Sequence, residues 1–278
     1  MKVLVTGASG FLGWRATALL REREHEVIAL ARSERRPLDG LVELDAGEPA
    51  ARELVAGCDA VFHFAGVPDP TKARLDPARA VRENAGTTLN LLEGCLEFDA
   101  GLVYPSTVRA AVDPPPDEYA ISKRLGELAC ELHRARATVV RFTSVFGPGQ
   151  AARDGATGAI ASFAERALAG EPLVIEGDPE RTRDFIYVDD AIAALEQIAH
   201  SGRWNETLTI GSGVATPLRR AAELVRAAAG ADVPIETRAG ELPSGENASY
   251  GADEPLDVPA RPLEEAIQTY VDWLRSLP

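Results

Sequence analysis

The first thirteen residues, MKVLVTGASGFLG, restrict the possible folds more than any other stretch of the chain. Val3, Leu4 and Val5 make the short apolar run of a strand buried on both faces. Glycine follows at 7, 10 and 13, merging into an amphipathic run with Phe11, Leu12, Ala16, Leu19 and Leu20. This order predicts a strand, a tight turn and a helix. The first glycine permits a turn where a Cβ would clash. The second lets backbone N–H groups reach a pyrophosphate, and the third lets the helix lie close on the strand. The helix start, at Phe11 and Leu12, adds unpaired N–H groups and the positive end of the helix dipole. Gly7, Gly10, Phe11, Leu12 and Gly13 are therefore the expected phosphate cradle of a dinucleotide site.

The alternation of strand and helix continues. Residues 27–30, 41–44, 60–64, 102–104 and 138–142 read as five further strands with helical patterns between them. Such an order predicts the α/β class, a Rossmann-type doubly wound parallel sheet. The sheet domain is expected over residues 1–150, with 184–212 returning to it; 151–183 and 213–278 would form a small C-terminal α+β substrate lobe. In the second half, helices are expected at 160–168, 216–230 and 262–276 and strands at 185–188 and 207–210, with 231–261 polar and irregular.

Bulk properties narrow the partners. The 43 acidic residues against 29 basic give a formal charge of −14, which argues against nucleic acid or an anionic membrane. No apolar run reaches spanning length and no signal peptide precedes the first strand, so a cytoplasmic location is expected. Cys58, Cys95 and Cys130 form no CxxC pair and read as buried thiols. The histidines at 25, 63, 133 and 200 are too scattered in sequence for an evident metal cluster, and no metal is expected.

Chemistry collects at the strand ends. The second strand runs into Arg32 and Ser33, where an acidic residue would instead favour NAD. A guanidinium there binds phosphate in two-point fashion, so the expected cofactor is NAD(P) with NADP preferred. Asp45 and Ala46 end the third strand beside the adenine position, and Ala65 and Gly66 are small residues where a cofactor passes close. His63 reads as a packed strand residue. The fifth strand ends in Ser106 and Thr107, either of whose hydroxyls can bond a substrate oxygen. Tyr119 and Lys123 are four apart and share a helix face. A phenol with a reference pKa near 10 becomes useful in proton transfer when an ammonium and a positive nicotinamide ring stabilise its anion.

On the segments TGASGFLG, LDAGEP, CDAVFHFAG, ENAGTTLNLLEGC, LVYPST, YAISKRLGE, VVRFTSVFGPG and RTRDFIYVDD, the chain resembles an extended short-chain dehydrogenase/reductase of the NAD-dependent epimerase/dehydratase family. The resemblance implies that Tyr119 is the catalytic acid/base, Lys123 its pKa-lowering and ribose-binding partner, and Thr107 the hydroxyl that orients substrate. It implies that Asp45, Ala65 and Asn84 line the cofactor groove. It further implies that Arg183 contacts a substrate diphosphate; Ser144 departs from the pattern, standing where many members have an Asn that contacts the substrate phosphates, and with Ser106 is kept as an expected substrate contact. Members often form homodimers through two helices per subunit, here 76–98 and 118–136.

The chain also departs from the family pattern. Thr107 is followed by Val108-Arg109-Ala110 rather than by the acids of sugar dehydratases. The expected activity is hydride transfer to or from a hydroxyl or keto carbon of a sugar-like, nucleotide-linked small molecule, as in a nucleotide-sugar 4-epimerase. The alternative is an NADPH-dependent ketoreductase. A dinucleotide sensor without turnover would not need the intact Thr107, Tyr119 and Lys123.

Overall fold

In the computed structural model, which describes residues 1–151, 158–239, 248–252 and 259–277, strand β1 (Lys2–Thr6) is buried from Val3 onward. It ends at Gly7, whose φ is +66°, and a Cβ there would stand 2.7 Å from the backbone of Phe64 and Ala65. A Cβ on Gly13 would lie 2.3 Å from the Gly7 carbonyl oxygen. Helix α1 (Phe11–Glu22) can therefore lie on the end of β1 only because both positions lack a side chain.

The chain continues through β2 (Glu26–Ala31), β3 (Leu41–Glu43), α2 (Ala50–Glu53), β4 (Ala60–His63), α3 (Pro70–Leu75) and α4 (Pro77–Val81). A π turn (Arg82–Gly86) leads into α5 (Thr87–Phe98), β5 (Gly101–Thr107), α6 (Glu118–Leu132), β6 (Ala137–Phe142) and β7 (Ser144–Phe146). Then come α7 (Ala159–Leu168), β8 (Leu173–Glu176), β9 (Thr182–Tyr187), α8 (Val188–Ser201), β10 (Thr207–Ile210), β11 (Ala215–Pro217), α9 (Leu218–Ala228), β12 (Ile235–Arg238) and α10 (Leu263–Ser276).

Seven strands form one sheet in the order β10-β6-β5-β4-β1-β2-β3. The β1 pairings to β2 and β4 are parallel, as are β2 to β3, β4 to β5 and β5 to β6. The order reverses at β1, so the carboxyl ends of β1 and β4 border the crevice where such sheets bind ligands. Beneath it, Leu4, Leu30, Val61, Leu91, Leu102 and Tyr104 belong to one buried cluster.

The chain divides into two units, residues 1–142 with 192–209, and 143–191 with 210–278. Residues 143–150, 184–191 and 210–212, assigned from the sequence to the sheet domain, fall in the second unit. There β9 takes β7 as a parallel and β11 as an antiparallel neighbour. The second unit has its own core, including Phe146, Phe163, Phe185, Tyr187 and Tyr270.

Three expectations are corrected. Residues 76–98 are not one regular helix, because the π turn at Arg82–Gly86 interrupts it. The 231–261 stretch is not wholly irregular: β12 pairs in parallel with β8, Ile235 opposite Leu173, although parts of this stretch and of 151–183 lie outside the described residues. The fifth strand runs three residues past Tyr104, because Pro105, Ser106 and Thr107 keep register with Val140, Arg141 and Phe142.

Candidate active site

Thr107 ends β5, and α6 begins eleven positions later with Asp117 as its N-cap, Oδ1 accepting the Ala120 N–H at 2.8 Å. Tyr119 lies in the first turn of α6, and Lys123 follows one turn on. Lys123 is buried; its ammonium donates to the Pro105 carbonyl at 2.8 Å and sits 4.8 Å above the centre of the Tyr104 ring. Burial lowers the Lys123 pKa to about 8, against an opposing pull from Glu127. Burial pushes Tyr119 up to about 12; the Arg109 charge works against the rise and Asp117 adds to it. Burial thus outweighs the nearby Arg109 charge. At neutral pH the phenol holds its proton.

Arg109 is a residue whose role the sequence did not reveal. Its backbone N–H donates to Thr107 Oγ1 at 3.3 Å, and its guanidinium pairs with Asp117 Oδ2. Arg109 thus ties the strand end carrying Thr107 to the cap of the helix carrying Tyr119.

The structure separates the two strand-end hydroxyls. Ser106 donates to Glu127 Oε1 at 2.6 Å. Glu127 is buried and also accepts two hydrogen bonds from Arg141, at 2.9 and 2.7 Å, and one from Arg124 at 2.9 Å. The Ser106 hydroxyl thus holds a buried carboxylate. Thr107 accepts from Arg109 and retains its own proton to donate.

Asn84 sits in the π turn and is fully buried. Its side chain accepts from the Val67 N–H at 2.8 Å and donates to the Val67 carbonyl at 3.1 Å and to Ser122 Oγ at 2.8 Å. It therefore fixes the loop after β4 against α6. A Cβ on Gly66 would stand 2.3 Å from Asn84 Oδ1, which accounts for a glycine there. His63, also fully buried, has Nδ1 2.8 Å from Thr6 Oγ1 and Nε2 3.2 Å from Thr87 Oγ1. Thr87 gives its proton to the Glu83 carbonyl at 2.6 Å, so the His63 Nε2 must carry hydrogen and Nδ1 accepts from Thr6. His63 is a structural clamp, as the strand pattern suggested.

At the nucleotide end, Gly10 gives α1 no side-chain cap and the first turn of α1 carries no acid. Ser9 Oγ donates to the Ser33 carbonyl at 2.8 Å, fixing the Ser33 turn beside the glycine loop. Asp45 Oδ1 accepts the Gly47 N–H at 2.8 Å, and Ala46 is buried beneath it. Arg32 reaches both Glu83 oxygens and lies 3.8 Å from Asp45. A helix start without a side-chain cap, beside Gly7 and Gly13 where no Cβ fits, suits a pyrophosphate.

In the second unit, Ser144 opens β7 opposite Phe185 of β9. Arg183, on the same β9, donates to the Thr182 carbonyl at 2.9 Å and to that of Ala248, and stacks 5.0 Å from the Tyr250 ring centre. Its neighbour Asp184 is buried and anchors the backbone N–H groups of Ser212 and Gly213 at 2.7 and 3.0 Å. The fold brings Ser144 and Arg183 onto adjacent strands of one small sheet.

The model of the NAD dependent epimerase/dehydratase family matches residues 3–211. The chain is 27% identical to a dTDP-4-dehydro-6-deoxy-D-allose reductase of Streptomyces bikiniensis, across 98% of this chain and 96% of that one. It superposes on a UDP-glucose 4-epimerase of Thermotoga maritima, solved with UDP-glucose, with a TM-score of 0.85 at 26% identity and 99% of both chains covered. A Thermus thermophilus UDP-glucose 4-epimerase in complex with NAD matches at a TM-score of 0.82 and 25% identity, again over 99% of both. Among the described residues no helix is long and apolar enough to cross a membrane.

Proposed function

The chain belongs to the NAD-dependent epimerase/dehydratase family, and on that premise we propose that it is an NAD(P)-dependent epimerase or oxidoreductase acting on a hydroxyl or keto carbon of a nucleotide-linked sugar. The observation that carries this reading is the placement of Thr107 at the end of β5 and of Tyr119 and Lys123 one turn apart at the start of α6, with Thr107 and Lys123 buried and Tyr119 half-buried. A bound nicotinamide would supply the hydride acceptor or donor. Gly7, Gly10, Phe11, Leu12 and Gly13 would hold its pyrophosphate, Asp45, Ala46, Ala65 and Gly66 would border the adenosine and ribose, and Asn84 would act by shaping the loop.

The protein residues do the proton work. Tyr119, protonated at neutral pH, gives its proton to a carbonyl oxygen in the reducing direction and takes it back in the oxidising one. Thr107 orients that oxygen through its hydroxyl. Lys123 supplies the nearby positive charge that favours the phenolate. Ser144 and Arg183 are the proposed contacts to a substrate diphosphate, and Ser106 supports the site through Glu127.

The reductase reading is favoured by two observations: the Streptomyces relative that spans nearly the whole chain is a keto-sugar reductase, and Arg32 stands where NADP is selected. We take NADP as the preferred cofactor, with Glu83 competing for Arg32. A homodimer fits the exposed apolar face of Ile121, Leu125, Leu128 and Leu132 on α6, with Leu89 and Leu96 on α5.

The test is to identify by mass the dinucleotide released from purified protein, then to assay Tyr119→Phe. Retained NAD points to the epimerase; an empty protein that binds NADPH more tightly than NADH points to the reductase. Tyr119→Phe is expected to lose turnover by at least about a hundredfold while binding cofactor normally. Full activity in that variant rejects the mechanism.

A further inference from the structure

The first unit holds a second group of donor atoms that the proposed reaction does not use. His25, in the turn between α1 and β2, and Glu196 and His200 of α8 each bring a ligand atom within 4.8 Å of the others. Glu196 and His200 are one turn apart and share a helix face. His25 lies 171 positions from Glu196 in sequence, which is why the histidines read as scattered. Folding brings the two imidazoles to 5.6 Å between ring centres.

The placement of protons points to a ligand. His200 Nδ1 lies 3.0 Å from the Glu196 main-chain carbonyl. A carbonyl only accepts, so Nδ1 carries the hydrogen and the neutral ring keeps its lone pair on Nε2. A ring nitrogen held by a carbonyl, with the other left to coordinate, is the arrangement that orients metal-binding histidines. His25 Nε2 lies 2.8 Å from Glu196 Oε1, so a proton there sits between two atoms that both ligate metals once it leaves. Its Nδ1 faces the Met1 amino group at 3.1 Å. Arg23 takes the other carboxylate oxygen, Oε2, and leaves Oε1 to the cluster.

We propose that His25, Glu196 and His200 form a site for a divalent transition-metal cation such as Zn2+, bound through His25 Nε2, Glu196 Oε1 and His200 Nε2 with water completing the shell. Two imidazoles and one carboxylate suit zinc and its neighbours; Mg2+ and Ca2+ call for more oxygen donors. Bonds of about 2.0 Å in a tetrahedral shell put ligand atoms roughly 3.3 Å apart, a closure within reach of side-chain rotation from this cluster. On binding, His25 Nε2 releases its proton to solvent while Nδ1 takes one from the Met1 ammonium, so the ring stays a neutral ligand, one net proton is released and no electrons move. The cation fastens the last turns of α8 to the α1–β2 turn and stabilises the fold by binding only the folded chain.

The test titrates the metal-free full chain with zinc chloride by calorimetry and thermal melting, beside His25→Gln and His200→Gln, with Mg2+ as control. One zinc per chain and a raised melting temperature are expected, with affinity at least about tenfold weaker in each variant. His200 is exposed, so His200→Gln is expected to melt like the wild type in the presence of chelator. Absence of zinc binding, affinity unchanged in both variants, or an equal shift with Mg2+ overturns the proposal.

Discussion

Arg32 and Glu83 form a two-point ion pair, Nη1 lying 2.7 Å from Oε1 and Nη2 3.1 Å from Oε2. Arg79 adds a third bond to the same carboxylate at 2.7 Å. Burial alone would raise the Glu83 pKa, but its bonds to Arg32 and Arg79 hold it below the usual carboxylate range. The guanidinium that would select a 2′-phosphate thus already has an anionic partner. Glu83→Gln is expected to raise NADP affinity relative to NAD by up to about tenfold, the size of one charge-assisted contact of ~1.5 kcal/mol. Arg32→Asp is expected to reverse the preference toward NAD. Fluorescence titration with both reduced cofactors checks this; an unchanged NADP/NAD ratio in both variants clears the pair of any role.

His63 gives the fold a pH dependence. Burial, aided by the Lys123 charge, lowers its pKa to about 3, against about 6.5 in an unfolded chain. Between these values the unfolded chain binds the extra proton. The contribution of His63 is therefore fully present above pH ~6.5 and is lost as the pH falls, by ~1.4 kcal/mol per unit. His63→Gln should be less stable at pH 7, through the broken Thr6 and Thr87 contacts, yet lose less between pH 6.5 and 5. Urea unfolding at the two pH values checks this; parallel losses in wild type and variant contradict it.

Glu127 is buried among Ser106, Arg124 and Arg141. Burial favours its neutral form, but the Arg141 and Ser106 bonds win and lower its pKa. Glu127→Ala leaves the Arg141 charge without its partner, at a cost of about 3–5 kcal/mol. Replacing both, as Glu127→Leu with Arg141→Met, should recover most of that loss. Equilibrium unfolding of the single and double variants decides. A single variant within about 1 kcal/mol of wild type would show that the network contributes little.

The apolar face of α6 predicts association. Leu125→Glu with Leu128→Glu places charges on that face without touching Tyr119 or Lys123. Sedimentation is expected to give two chains per particle for wild type and one for the variant. A wild type of single-chain mass rejects the dimer.

The local parts of this protein were legible in its sequence. The strand-turn-helix at residues 1–13 was legible in the spacing of its glycines: Gly13 is crowded by the adjoining Gly7 backbone, whereas what crowds Gly7, the backbone of Phe64 and Ala65, comes from far along the chain. Tyr119 and Lys123 fall on one face by helical period alone. Partner choice was not legible. Nothing local assigns Arg32 to Glu83, 51 residues away, or Ser106 to Glu127, which depends on where β6 delivers Arg141 to the same carboxylate. The π turn that buries Asn84 and the meeting of His25 with Glu196 are likewise products of packing. Short-range pattern fixes which elements form, because their hydrogen bonds close within a few residues. Which charges and hydroxyls are satisfied, and which keep a proton for chemistry, is decided only when distant elements desolvate one another.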